Sequence, residues 1–176
     1  MSESPSVNKD RVLTCSVYCN GSKLGNEYTL VAATVHLELN RIGKATLKFN
    51  AGNMNKQTFD ESDADLFKPG NAIRLEAGDI EKEDILFDGM IIGLRIITDK
   101  DFHSYMLVEC RDHAYSATQG RKNRIFEKKK DCDIIKEVLL AYGSVEVDST
   151  PYQYPTLVQY YCSDWDFALS RDDANG

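Results

Sequence analysis

Apolar and polar residues alternate with a two-residue period over most of the first hundred positions. From Leu13 the odd positions Leu13, Cys15, Val17 and Cys19 are apolar, with Thr14, Ser16 and Tyr18 between them. This period predicts a strand with one buried face. Asn20-Gly21-Ser22 then reads as a turn. Val31, Ala33, Val35, Leu37 and Leu39 repeat the pattern against Ala32, Thr34, His36, Glu38 and Asn40, predicting a second strand with those five residues inward. Arg41-Ile42-Gly43-Lys44 is short enough to turn the chain tightly. Ala45, Leu47 and Phe49 resume the alternation, so the two segments are expected to pair as an antiparallel hairpin.

Residues 51–70 form a long polar connection in which Ser62 and Asp65 stand at capping-box spacing before Leu66 and Phe67, with Pro69-Gly70 as a stop. A short helical turn is expected there. Strands follow over Ala72 to Ala77, Ile85 to Ile97 and Ser104 to Cys110, separated by charged turns. No helix of crossover length lies between them, which excludes a parallel sheet with intervening helices and favours a small antiparallel barrel or sandwich. Gly89 and Gly93 interrupt the longest strand, where a barrel needs a bend or a close backbone approach.

The pattern changes after Asp112. A basic stretch of Arg121, Lys122, Arg124, Lys128, Lys129 and Lys130 leads into a helix with Asp131 as N-cap. That helix carries Ile134, Ile135, Val138, Leu139 and Tyr142 on one face, and Gly143 is its stop. From Val158 a short strand passes into a second helix, with Ser163 as N-cap and Asp166 completing a capping box. This helix would leave Trp165, Ala168 and Leu169 without a later element to cover them, so the chain reads as cut within a fold. Met1 to Lys9 is polar and patternless and reads as a mobile tail.

Composition narrows the function. The 176 residues carry 21 basic and 28 acidic side chains, a net charge of -7, so the overall field disfavours nucleic acid and anionic membranes. No apolar run is long enough for a membrane-spanning helix, and the start lacks the charged and apolar regions of a signal peptide. Five scattered cysteines, Cys15, Cys19, Cys110, Cys132 and Cys162, form no paired framework and fit a reducing cytoplasm.

The chemical constellations are thin. Cys110-x-x-His113 could offer two zinc ligands, but no second pair stands at ligand spacing, and Cys110 reads as a core residue. The cluster Asp60, Glu61, Asp63 and Asp65 lacks the alternate ligands, central glycine and closing glutamate of a calcium loop. Ser104, Asp112 and His113 are the residue types of a hydrolase triad without a nucleophile elbow. No catalytic, metal-ligating or cofactor-binding residue is expected. Lys128, Lys129 and Lys130 suggest a docking patch for an acidic face, against the plainer reading of a solvated hairpin edge.

Gln159-Tyr-Tyr-Cys-Ser-Asp-Trp-Asp-Phe167, continuing through Ser170-Arg171 to Gly176, resembles a signature of the VgrG and late-control-gene-D proteins, the hubs of type VI secretion spikes and contractile phage tails. Leu86-Phe87-Asp88-Gly89 is similar to a strand entry of that family, Val108 to Asp112 to a later strand, and Asp133-Ile134-Ile135 to the start of its linking helix. The order and spacing match over residues 10–176. Departures are Cys162 where the family usually has Glu, Ala168 for a common Leu, and the Asp172-Asp173 pair.

The resemblance implies a mainly β fold with minor α: an antiparallel barrel of the tail-hub type over residues 10–118, then a linking segment over 119–176 with helices near 132–142 and 164–171 that begins an incomplete second domain. It further implies a structural role without bond chemistry, in a homotrimer that joins a six-fold tube, built of Hcp or phage tail-tube protein, to a three-fold spike. Such a hub assembles in the cytoplasm and is ejected with its particle, without inserting into a membrane itself. Gly89, Asp131, Ser163, Asp164, Trp165, Asp166, Phe167, Lys128, Lys129 and Lys130 are the structural and interface candidates. The competing expectation is a free-standing barrel that binds an oligosaccharide or a peptide.

Overall fold

The computed structural model describes residues 13–50, 65–79, 82–101 and 103–175. The expected N-terminal tail, the Ser62 cap and the acidic residues Asp60, Glu61 and Asp63 lie outside that range. The chain divides into two units, one running to Leu37 and again over Gly43–Asp112, the other formed by His113–Gly176 with Glu38–Ile42.

The first unit is one antiparallel sheet. Its strands are β1 (Leu13–Cys19), β2 (Ser22–Lys23), β3 (Leu30–His36), β4 (Lys44–Asn50), β5 (Ala72–Asp79), β6 (Lys82–Thr98) and β7 (Ser104–Asp112), hydrogen-bonded in the order β2-β1-β5-β6-β7-β4-β3. The expected hairpin of β3 and β4 is present, with Ala33 opposite Leu47 and Val35 opposite Ala45. Alternation places Val17, Leu47, Phe49, Ile73, Leu75, Phe87, Ile91, Met106 and Val108 on one face, where they gather into one core cluster. Phe67, beyond the short helical turn at Asp65 and Leu66, closes onto that cluster. Its ring lies 5.4 Å from Tyr28, edge to face, and 5.5 Å from Phe49. Each large side chain so buried contributes about 1.5–3 kcal/mol.

The described strands form an open ladder. Among the described residues no pairing joins β3 to β1 or β2, so β3 and β2 are the two edges. This corrects the reading of residues 31–39. The strand ends at His36, and Val31, Leu37 and Leu39 are exposed by 49%, 68% and 91%. The register with β4 shifts between Leu30 and Ala32, which takes Val31 out of the two-residue period, and Leu37 and Leu39 lie beyond the end of the strand. Asn40 turns the chain back with φ of 58°.

The two glycines of β6 serve different ends. At Gly89 a Cβ would overlap the backbone carbonyl oxygen of Arg111 and lie 2.9 Å from the Phe87 ring, so the position demands glycine by close approach. Gly93 sits where the β6–β7 register shifts, with nothing nearer than the Glu109 carboxylate at 3.6 Å; it marks a bulge.

The second unit contains β8 (Lys122–Lys130), α1 (Asp131–Leu139), β9 (Gln153–Cys162) and α2 (Asp164–Asp173), with 3₁₀ turns over His113–Thr118 and Leu140–Tyr142. The basic stretch is a strand, not only a lead into a helix. It pairs antiparallel with β9, Phe126 opposite Leu157 and Arg124 opposite Gln159. A partner some thirty residues away imposes this extended state on a segment whose lysines have no strand preference of their own.

The α2 helix is covered, contrary to the expected bare face. Phe167 and Ala168 are buried, Trp165 and Leu169 are half-buried, and the Phe167 ring stacks on Phe126 at 5.7 Å and 12°. The unit's core is Phe126, Ile134, Val138 and Phe167.

Asp131 is not the N-cap of α1. Lys130, still extended at φ -88° and ψ 160°, holds that place without a side-chain bond, because the ladder with β9 keeps it in strand geometry. Asp131 is the first helical residue and is buried. Its carboxylate accepts a hydrogen bond from Asn175 Nδ2 at 3.0 Å and faces Arg171 Nε at 3.7 Å. Its charge also suits the positive end of the helix.

Candidate functional site

The signature segment is where β9 ends and α2 begins. Gln159 lies on the buried face of β9 opposite Arg124, and the register shifts between there and the Lys122–Cys162 pair. Tyr161 takes up the shift with φ of 46°, its N–H donating to Asn123 Oδ1 at 2.8 Å. Ser163 is extended and caps α2, as its place before the helix predicts. Its hydroxyl accepts from the Asp166 N–H at 3.1 Å and donates to the Asp166 carboxylate at 2.6 Å. The Asp166 side chain thus closes on the capping hydroxyl rather than on the backbone N–H of a regular capping box. Replacing Ser163 with Ala is expected to cost about 1 kcal/mol, measured as a lower urea midpoint at unchanged slope.

The next residue, Asp164, is the centre of the site. Its side chain is wholly buried, and each oxygen is held. Gln159 Nε2 donates to Oδ1 at 2.9 Å, and Oδ2 accepts from Lys122 Nζ at 2.6 Å and Tyr142 OH at 2.7 Å, with Arg124 at 3.4 Å. Lys122 also donates to Tyr142 OH at 2.7 Å, and Gln159 to the Cys162 carbonyl at 3.3 Å. Four segments therefore meet on one carboxylate: β8, the 3₁₀ turn after α1, β9 and the first turn of α2.

Burial pushes the Asp164 carboxyl up, but the bonds from Gln159, Lys122 and Tyr142 and the Arg124 charge outweigh it, and the group sits below the usual carboxylate range. The same bonds, from Asp164 first and then Tyr142, raise the Lys122 ammonium above its ordinary value. Both members are shifted away from neutrality, so near pH 7 neither is poised to exchange a proton. The arrangement is a clip, in which Gln159 and Asp164, five residues apart, bracket a bulge and fasten strand to helix.

The other candidate residues are distributed differently. Lys128 is exposed, while Lys129 pairs with Glu137 and lies 5.8 Å from the Phe126 ring, and Lys130 is half-buried. The positive patch is narrower than the run of three lysines suggests. Burial pushes the Cys110 thiol up to about 12, with Cys19 and Glu109 adding to the rise, so it remains a protonated core residue. Ser104 opens β7 and Asp112 closes it, roughly 26 Å apart at the rise of a strand, which leaves no triad. Among the described residues no three of His, Cys, Asp or Glu gather into a potential metal site. No helix among them is long and apolar enough to cross a membrane.

Pattern reading did not foresee the roles of Lys122, Arg124 and Tyr142. Lys122 and Arg124 were two members of a basic run, and Tyr142 one apolar position on a helix face. Only the Gln159 and Asp164 positions in the signature pointed to the cluster.

Three comparisons bear on this architecture. A family profile described as the Alg8 N-terminal domain matches residues 9–176. No curated protein matches the chain. Among solved structures, the 43 kDa tail protein of prophage MuSo2 from Shewanella oneidensis is similar over 93% of this chain and 49% of its own, with a TM-score of 0.72 and 13% identity. A component of the Escherichia coli type VI secretion system, described as structurally similar to the T4 bacteriophage tail proteins gp27 and gp5, is similar over 86% of this chain and 41% of its own, with a TM-score of 0.61 and 14% identity. The Francisella PdpA-VgrG complex is similar over 92% of this chain and 25% of the matched one, with a TM-score of 0.54 and 14% identity. At these identities the likeness is one of fold. It is the mainly antiparallel fold that the signature implied, and the chain spans half or less of the length of each of these three matched proteins.

Proposed function

We propose, for a chain that belongs to the Alg8 N-terminal domain family, a structural role as the N-terminal part of a hub or adaptor in a contractile injection machine. The observation that supports this most is the fold itself, shared over 93% of the chain with a prophage tail protein at a TM-score of 0.72. The Asp164 clip agrees with it, because its residues hold elements together rather than face a substrate. In this reading the hub assembles in the cytoplasm as a trimer, takes a six-fold tube on one side and a three-fold spike on the other, and leaves the cell with its particle. It carries out no bond chemistry.

The test is the mass of the native gene product and of its assembly, by denaturing gel and light scattering. A subunit longer than this chain that assembles as a trimer and co-purifies with tube protein is the expected result. A stable monomer of 176 residues would overturn the hub. In the same assemblies, reversing the charge of Lys128, Lys129 and Lys130 is expected to weaken docking and flatten its salt dependence. Lys128 should account for most of the effect, because Lys129 is already engaged by Glu137.

A further inference from the structure

The first unit has an unfinished edge. The short β2 covers only Tyr18 and Cys19 of β1, and Leu24 adds one bond, its N–H donating to the Val17 carbonyl at 2.8 Å. That bond fixes the side to which Val17 turns its backbone groups, and in an antiparallel ladder alternate residues turn the same way. Cys15 therefore directs both its N–H and its C=O away from β5. Neither group, nor the Val17 N–H, has a partner among the described residues.

The side chains tell the same story. Cys15 shares the inner face of β1 with Val17 and Cys19, which are buried at 6% and 0%, yet Cys15 itself is exposed. The core face is uncovered at this point. A cleft of about 820 Å³ opens there, with Val17, Leu24, Leu30 and Phe49 among its lining residues and Lys23 at its rim. Residues Leu13 to Val17 contain no charge and no proline, the devices by which edge strands avoid pairing.

The rim charges are unequal. The Glu83 carboxylate is held below its usual range by bonds from the Ser16 and Thr14 hydroxyls, with help from Lys23. Lys23 acts on Glu83 only through its field and forms no ion pair among the described residues, whereas the other lining cation, Lys82, pairs with Asp84, so Lys23 is the cation an incoming acid could engage directly.

We infer that this cleft accepts one extended segment of a partner protein, which adds to β1 as a strand. Main-chain groups of one strand edge, presented at a two-residue repeat, match another main chain and not a sugar or a compact metabolite. Every second residue of the incoming segment would rest an apolar side chain on the half-buried Leu24 and Leu30, and an acidic residue would meet Lys23. The exposed Cys15 side chain would pack against that segment, and its thiol, although raised by burial and by the Glu83 charge, stays open to a labelling reagent until the segment covers it.

The experiment selects displayed random heptapeptides on the full chain. Enrichment of sequences with alternating Val, Ile or Leu and one Asp or Glu is expected, and the recovered synthetic peptides should protect Cys15 from maleimide. The variant C15P removes the outward N–H while sparing the ladder to β5, and should weaken binding at least tenfold. The variant K23E leaves the backbone untouched, so it remains informative if C15P folds poorly; it should shift selection from acidic to basic peptides. Absence of enrichment, or peptides that leave Cys15 labelling unchanged and ignore K23E, would overturn the proposal. So would a Cys15 that is already unreactive in the free protein, because the chain would then cover its own edge.

Discussion

Replacing Asp164 with Ala is expected to destabilise the second unit by about 3 kcal/mol. Removing one member of a buried ionic cluster costs roughly 3–5 kcal/mol, because the groups left behind lose their counter-charge without regaining water. The lower end applies here. The side chains of Lys122 and Arg124 remain about a third exposed and can be rehydrated, whereas Gln159 is completely buried and would lose the nearer of its two acceptors. Trp165, the single tryptophan of the chain, adjoins the site, so its fluorescence in a urea titration reads the change directly. An unchanged midpoint would mean that the clip is not what fastens β9 to α2.

The conservative variant D164N separates charge from shape, and pH gives its sign. The Asp164 carboxyl titrates below its unfolded value, so its contribution is complete above the ordinary carboxylate range and is lost as pH falls through the depressed value. Lys122 titrates above its unfolded value. Its contribution is complete below the ordinary lysine range and is lost as pH rises through the raised value. The difference between the natural protein and D164N should therefore be flat across neutral pH and shrink below about pH 4. A difference that grew on acidification would contradict the direction given for Asp164.

Replacing Gly89 with Ala should be among the most damaging single-carbon changes in the first unit. The added Cβ would overlap the Arg111 carbonyl oxygen, and that residue belongs to β7 at the middle of the sheet, hydrogen-bonded to β4 on its far side. Neither strand can retreat without breaking a ladder. Overpacking costs about 1–3 kcal/mol where side chains can adjust, and a backbone obstacle places this substitution at about 3 kcal/mol or above. The far-UV circular dichroism midpoint in denaturant is the measurement. The companion G93A, at a bulge with open space around it, should cost less than half as much. Equal losses would show that bulge geometry, not close approach, governs β6.

Gly89 and Gly93 show how far the chain can be read by itself. Both interrupt a strand and both suggest a bend or a close approach, but only the neighbouring Arg111 tells them apart. The β3 segment teaches the same thing from the other side. Its alternation is clear and its hairpin with β4 forms, yet the inward reading of Val31, Leu37 and Leu39 fails, because a register shift displaces Val31 and the strand ends at His36, before the two leucines. The Asp131 cap fails for a related reason, since β9 holds Lys130 extended for one residue longer than local spacing suggests.

What the sequence by itself determined was everything set within a few residues: the two-residue period of the strands, the antiparallel hairpin of β3 and β4, the Ser163 cap, and the signature between Gln159 and Phe167. Those features depend on backbone geometry that each segment carries alone. What only the tertiary structure decided was which faces are covered, that the basic run is a strand, that among the described residues β2 pairs with only Tyr18 and Cys19 of β1, and that Lys122, Arg124, Tyr142 and Gln159 converge on one carboxylate. Lys122 and Tyr142 reach Asp164 from 42 and 22 residues away, and nothing in local spacing encodes which segments will be neighbours.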